Sequence, residues 1–258
     1  MLWRSVDELV ITQPNHAWLA GQLCRAWGND DFAAPDPAEA VCLAAEQHDL
    51  GWHEWERSPT LNRVTGRPHF FREVAVSAHT AIWRRGVEMA MSLGRYSALL
   101  ISLHASGLYE QFDWARAAAE EIGVVRDFLA AQALIQERLL ALLAADPVYR
   151  DAADPARVAF NRSLIALTDR ISIAICAGVV EPAVVGAPGI RSVDLRPIDG
   201  DPTRLGVHPW PFRDRRVRVI CEGRALPGQY DSESAMRMAL DAARITTIVT
   251  ELIPALPA

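Results

Sequence analysis

Lysine does not occur anywhere in the chain, so all 26 basic side chains in the 258 residues are arginine. They are scattered rather than gathered into a stripe, and the net charge is −6. Duplex nucleic acid, whose binding rests on clustered contacts to phosphate, is therefore not an expected partner. The missing lysine itself reads as genomic composition. Cysteine is also scarce: Cys24, Cys42, Cys176 and Cys221 are widely spaced with no CxxC. That spacing suggests neither a zinc knuckle nor a disulfide framework, and leaves the four as small buried apolar residues. No uninterrupted apolar run approaches the ~20 residues of a bilayer span. Asp7 and Glu8 interrupt the N-terminal apolar stretch, which does not fit a signal peptide. A cytoplasmic protein with no membrane partner is expected; the sequence sets no oligomeric state.

What is present is an ordinary globular composition, half of it apolar, enough for one large core or at most two small ones. Residues 2 to 12 hold two short β-favouring runs around Asp7-Glu8, which predicts a hairpin or a single strand. Pro14-Asn15 opens an amphipathic helix to about Trp27, with His16, Leu19 and Leu23 on one face. A second helix starts with Asp36 as N-cap, Pro37 in the first turn and Glu39 completing a capping box. Its apolar face reads Val41, Ala44, Ala45, His48, so His48 points inward while Asp49 lies about 100° round the same turn. Gly51 then lets the chain leave the helix.

A loop follows from 57 to 76. Ser77 caps a third helix that carries His79 in its first turn, with Ile82, Trp83 and Gly86 behind it. A fourth helix runs from about Arg95 to Ser106, with His104 on the face of Leu100 and Leu103. A fifth runs from about Asp113 to Ala145, kinked at Gly123. A sixth repeats the Asp-Pro start at Asp154-Pro155 and ends at Gly178, with Ile165, Asp169, Ser172, Ile173 and Cys176 on one face. Beyond Gly178 the residues turn toward Pro, Gly and β-branched types. This predicts strands near 191 to 198, 204 to 208 and 216 to 222, a helix from about Ser232 to Ala243, and a final strand at 244 to 252.

The inward-facing polar residues of these helices are His16, His48, Asp49, His79, His104 and Asp169. A His-Asp pair alone means little, because so short a motif arises by chance. A carboxylate such as Asp169 on an apolar helix face is another matter: it costs several kcal/mol unless it is paired or bound to metal. One metal cluster would satisfy all six.

The order His, His-Asp, His, His, Asp on successive helices resembles the HD-domain superfamily, in its two-metal form, over roughly residues 14 to 178. The segments that carry the likeness are AAEQHDLGW, LISLHASGLY and LTDRIS. QPNHAWLAGQL, HDLGWHEWE and TGRPHFF also look like an uncharacterised bacterial branch of that superfamily, one with no assigned reaction. The resemblance implies an HD-like helical bundle; with the strands read from the residues, the expectation is a mainly α, all-α-type fold, the bundle over residues 1–180 and a small C-terminal antiparallel β-sheet over 181–258 that an N-terminal strand can join. It implies that His16, His48, Asp49 and Asp169 form one metal site, that His79 and His104 complete a second, and that Asp49 bridges them. The cofactors would be two divalent transition metals, Fe or Mn first, with Zn or Mg as alternatives. His48 and Asp49 would stand at the catalytic centre.

One position departs from the two-metal pattern. Many such enzymes carry a lysine three residues after the Asp, where this chain has Trp52, and tryptophan cannot neutralise a phosphate. Arg67, in TGRPHFF, is the residue expected to compensate by gripping an anion. Trp18, Trp52, Trp55 and Trp83 are candidates for an apolar pocket wall, and Ser102 and Ser106 for orienting ligands. Together these imply a metal-dependent hydrolase of a small-molecule substrate, a phosphate ester or nucleotide among the candidates. The alternatives are a di-iron oxygenase on the same scaffold and a non-catalytic binding protein.

Overall fold

The computed structural model describes residues 1–256. Strands β1 (Leu2–Arg4) and β2 (Leu9–Ile11) pair antiparallel as a hairpin, with Glu8 at a φ of 55° before β2. Helix α1 (Gln13–Ala26) begins where Thr12 Oγ1 accepts from the Asn15 N–H and Pro14 fills the first turn, a place where a missing N–H costs nothing. Helix α2 (Ala38–Gln47) starts differently from expectation. Pro37 is itself the N-cap, no side chain caps the turn, and Asp36 pairs with Arg157 instead.

After α2 come the short helix α3 (Trp52–Glu56) and a two-stranded sheet of β3 (Leu61–Asn62) and β4 (Arg67–Pro68). The helices α4 (Val76–Ala90), α5 (Arg95–Gly107), α6 (Ala119–Ala145) and α7 (Pro155–Ala177) follow. Asp154 caps α7 as the sequence indicates, accepting from Ala156 N–H at 2.9 Å and Arg157 N–H at 3.2 Å, and Gly178 ends it at a φ of 88°. Helix α6 starts at Ala119 rather than near Asp113, and Gly123 lies inside a continuous helix.

The remaining elements are β5 (Ala183–Ala187), β6 (Ile190–Ile198), β7 (Asp201–His208), β8 (Val217–Ala225), α8 (Glu233–Ala242) and β9 (Ile245–Pro254). They overturn the expectation of a mainly α or all-α protein with a small antiparallel sheet. The fold is mixed α/β, with one seven-stranded sheet in the order β1-β2-β8-β9-β7-β6-β5. It is also not antiparallel throughout, because β7 and β9 run parallel. The physical reason lies in the strand sequences. β5 (AVVGA) and the start of β7 (DPTRLGVH) carry Gly and Pro that blur the period-2 signal. The hairpin from the other end of the chain then widens the sheet at β8.

The sheet is the floor on which the helices stand. On β2, Leu9 and Ile11 belong to the main core with the helices, while Val10 faces a second cluster with Met236 and Leu240 of α8, as the alternation of a strand requires. Helix α1 is riveted to β8: Gln22 Nε2 donates to the Ile220 carbonyl at 2.8 Å, and Gln22 Oε1 accepts from the Ile220 N–H at 2.9 Å. Helix α7 is held to β1 by the buried Arg4, which donates to the Ile175 carbonyl at 2.9 Å. The cysteines are free and buried, Cys24 beside Cys42 and Cys176 beside Cys221.

Among the described residues α6 is the one helix long and apolar enough, by length and composition, to cross a membrane, and 22% of its apolar window is buried. Glu137 and Arg138 interrupt its apolar run. Val125, Phe128, Leu139 and Leu143 of α6 enter the core. Its glutamines bind α5: Ser102 Oγ donates to Gln132 Oε1 at 2.8 Å, and Gln136 Nε2 donates to Ser102 Oγ at 3.0 Å and Ser106 Oγ at 2.9 Å.

Candidate metal centre

Four elements bring the ligand-type residues together. Helix α1 carries His16, the end of α2 carries His48 and Asp49, α5 carries His104, and α7 carries Asp169; all five side chains are buried. The close approach of the His48-Asp49 turn to α4 depends on Gly51. A Cβ there would stand 2.0 Å from the Ile82 carbonyl oxygen and 2.9 Å from the Gly86 nitrogen. Gly51 is in the right-handed helical region, φ −64°, and α3 starts directly after it. It therefore serves close packing against Gly86 rather than an exit from the helix.

His16, His48 and Asp49 each present a ligand atom within 4.8 Å of the others, and so do His48, His104 and Asp169. His48 belongs to both groups, so the two triads are halves of one cluster. Hydrogen bonds fix which nitrogen each imidazole presents. His48 Nδ1 lies 2.8 Å from the Ala45 carbonyl oxygen, an acceptor only, so the proton is on Nδ1. Nε2 then faces Asp169 at 3.4 Å and Asp49 at 3.5 Å. In His16 the same logic runs through a serine. Ser172 Oγ donates its proton to the Asp169 carbonyl at 2.7 Å, so it accepts from His16 Nδ1–H at 2.8 Å, leaving Nε2 2.6 Å from Asp49 Oδ2. Committing Nδ1–H to an outer acceptor while Nε2 points at carboxylates is how histidines are oriented to hold metal.

Charge follows this arrangement. Burial opposes a charge on His48, but Asp49 and Asp169 outweigh it and raise its pKa to about 9. Burial would raise Asp169, yet its hydrogen bond to His48 and the charges of His48, His104 and His16 hold it well below the usual carboxylate range. His104, whose Nε2 is 3.8 Å from Asp169, is lowered to about 4 by burial and then by the charge of His48.

His79 stands apart from both triads. Trp83 Nε1–H donates to its Nε2 at 3.1 Å, and its Nδ1 is 2.7 Å from the Tyr109 hydroxyl. Burial lowers its pKa to about 4. Arg67 is not at the site either: its guanidinium stacks over Trp3, 4.7 Å from the ring centroid, and no wall of the cavity includes it. Ser102 and Ser106, expected to orient ligands, bond to α6 rather than to His104, and it is Ser172 that orients an imidazole, that of His16. A serine inside an apolar helix reads as a small core residue, and no sequence signal marks it.

The cluster lies in a cavity of about 720 Å³, within the usual size of small-molecule sites. Trp52 and Trp83 line it, whereas Trp18 and Trp55 do not. One face of α7 forms a wall, placing Arg162, Ala166, Asp169 and Arg170 along it. Arg162 lies across Gly107, where a Cβ would come within 2.7 Å of its Nη2, and it pairs with Glu110. Arg72 also lines the cavity, and among the described residues no carboxylate pairs with it. These arginines were not marked by the sequence, because only the fold turns them to the cavity. Two buried polar atoms on the wall have no protein partner, Gln13 Oε1 and Trp52 Nε1, and such atoms are expensive unless a ligand or water meets them.

No curated protein and no solved structure matches the chain. A family model described as "Protein of unknown function (DUF3891)" matches residues 1–228. The chain thus belongs to the DUF3891 family, whose function is unknown.

Proposed function

We propose that the protein is a metal-dependent hydrolase of a small-molecule substrate. The observation that carries this reading is the matched polarity of His16 and His48. Each commits Nδ1–H outward and turns Nε2 onto Asp49 or Asp169 inside a ligand-sized cavity. The likeness of the His, His-Asp, His, His, Asp order to the two-metal HD superfamily supports the same reading, with His79 the one member of that order that stands apart from the cluster. His16, His48, Asp49, His104 and Asp169 would hold one or two divalent transition ions, Fe or Mn first and Zn or Mg as alternatives. When bound, the metal supplies a Lewis acid that activates water and polarises the scissile centre.

The chain's own residues do the rest. Ser172 and the Ala45 carbonyl fix the two imidazole tautomers, so no reorientation is needed when the cation enters. Trp52 and Trp83 give the substrate an apolar wall and exclude water. Arg72, Arg162 and Arg170 offer cations to an anionic group at the cavity walls, the part first given to Arg67. Trp52 in place of a lysine beside the cluster disfavours a bare phosphoryl group at that spot, so a phosphate ester or nucleotide would reach the arginines with its charge and pack its body on the tryptophans. A cytoplasmic setting suits a reaction of this kind.

The test is a screen of Mn-loaded and Fe-loaded protein against nucleotides, phosphoesters, esters and amides, under nitrogen and under air, with products followed by mass spectrometry. Products that gain the elements of water equally in both atmospheres are expected. A product that gains oxygen only with Fe and air would replace the hydrolase with an oxygenase. Binding without turnover would leave a binding protein.

A further inference from the structure

Of the groups around the cavity, the line Trp83, His79, Tyr109 has a direction that the metal cluster does not explain. An indole N–H can only donate. Because Trp83 Nε1 lies 3.1 Å from His79 Nε2, that nitrogen is the acceptor and carries no proton. The proton of His79 is then on Nδ1, 2.7 Å from the Tyr109 hydroxyl, and the phenol oxygen receives it. The phenol's own proton must find an acceptor elsewhere, and among the described residues no further protein partner of that hydroxyl is present. Tyr109 is buried, lines the cavity, and is held by the rings of Phe128 at 5.3 Å and Phe112 at 6.2 Å.

We propose that Tyr109 is a substrate-binding residue whose O–H is aimed into the cavity as a donor, fixed in that sense by Trp83 and His79, and that it receives a carbonyl, carboxylate or phosphate oxygen of the ligand. This rests on the reading of the cavity as a substrate pocket. Hydrogen bonds aligned head to tail polarise one another, so the phenol at the end of the line is a stronger donor than an isolated tyrosine. Trp52 Nε1–H, a second buried donor without a partner, belongs to the same wall, its ring 5.7 Å from that of His79. Two donors without acceptors call for an oxygen-rich ligand. A consequence for the metal follows. His79 Nε2 is occupied by the indole, so His79 positions Tyr109 instead of completing a metal site.

The test uses two readouts on the full chain. In protein labelled with 15N-histidine, two-bond 1H–15N spectra report each tautomer, and the His79 signals are assigned by their loss in His79→Gln. The expected pattern is Nδ1–H with a bare Nε2, unchanged when Zn(II) is added, and lost to a tautomer mixture in Trp83→Phe. An Nε2–H tautomer, an imidazolium at pH 7, or a Zn-induced shift at Nε2 would overturn the proposal. Inorganic phosphate and benzoate are then titrated with and without Zn(II) by calorimetry. Tyr109→Phe is expected to weaken at least one of them about five- to tenfold, the size of one hydrogen bond. Tyr230→Phe, whose phenol donates to the Pro227 carbonyl outside the cavity, is expected to weaken neither. Equal affinities in Tyr109→Phe and the wild type, or no binding of either probe by the wild type, would overturn the donor role. Zn uptake in the same samples scores the metal pocket separately: no uptake with the tautomer intact refutes the metal reading alone.

Discussion

Replacing Ser172 by alanine isolates the one side chain that links His16 to α7. Ser172 is fully buried; it accepts from His16 Nδ1–H at 2.8 Å and donates to the Asp169 carbonyl at 2.7 Å. Alanine removes both bonds and leaves the His16 N–H in a buried place with no acceptor. A lost intramolecular bond costs about 1 kcal/mol and an orphaned buried donor about 1–3 kcal/mol, so a destabilisation of about 2 kcal/mol is expected. In a chain of this size that lowers Tm by about 4–8 °C. The second effect is on metal. With Nδ1 released, His16 can rotate or carry its proton on Nε2, the nitrogen that faces Asp49, and metal affinity should fall about 10–100-fold. Calorimetric melting and Zn(II) competition against a chelator measure the two effects on the same samples. A Ser172→Ala protein that melts with the wild type and holds Zn(II) equally well would refute the tautomer argument.

Gly51→Ala drives a Cβ to 2.0 Å from a backbone oxygen of α4; a loss of about 1–3 kcal/mol is expected from overpacking, read by urea unfolding, and an unchanged midpoint would show that the turn can shift freely. The metal-free protein should lose stability as pH falls from 6.5 to 4. There His79 and His104, lowered to about 4, stay neutral in the fold but take protons when unfolded, worth about 3 kcal/mol each by linkage. His48 acts in the opposite sense. Raised to about 9, it stabilises fully below pH 6.5 and its contribution is lost as pH rises through 9, so urea midpoints should fall on both sides of neutrality. Metal should broaden this range on the acid side only while His48 can still give up a proton to it, which melting in the presence of Zn(II) between pH 5 and 8 would show.

How much of this could be read in the sequence depended on whether one helix carried the signal by itself. The i, i+3, i+4, i+7 pattern ending at His48, and a carboxylate inside LTDRIS, are local facts, and the residues so marked, His16, His48, Asp49, His104 and Asp169, do converge. His79 carried the same helical signal yet lies between Trp83 and Tyr109, because its neighbours are set by how α4 packs on the turn after α5. Arg67 looked free in a glycine-proline loop, but Trp3 of the N-terminal hairpin covers it. The sheet was underestimated for a similar reason. Its strands come from both ends of the chain, and the parallel pairing of β7 with β9 joins segments that are not neighbours in sequence. Ser172, Tyr109 and Arg162 gain their roles only from partners 30 or more residues away.

The central claim is that the buried His/Asp cluster is a metal centre, and elemental analysis tests it most directly. Protein expressed and refolded with Fe, Mn and Zn should retain one or two ions per chain after removal of free metal. Asp49→Ala, which takes away the carboxylate 2.6 Å from His16 Nε2 and 3.5 Å from His48 Nε2, should retain none. No stoichiometric metal in the wild type under any of these loadings, or equal metal in Asp49→Ala, would contradict the account.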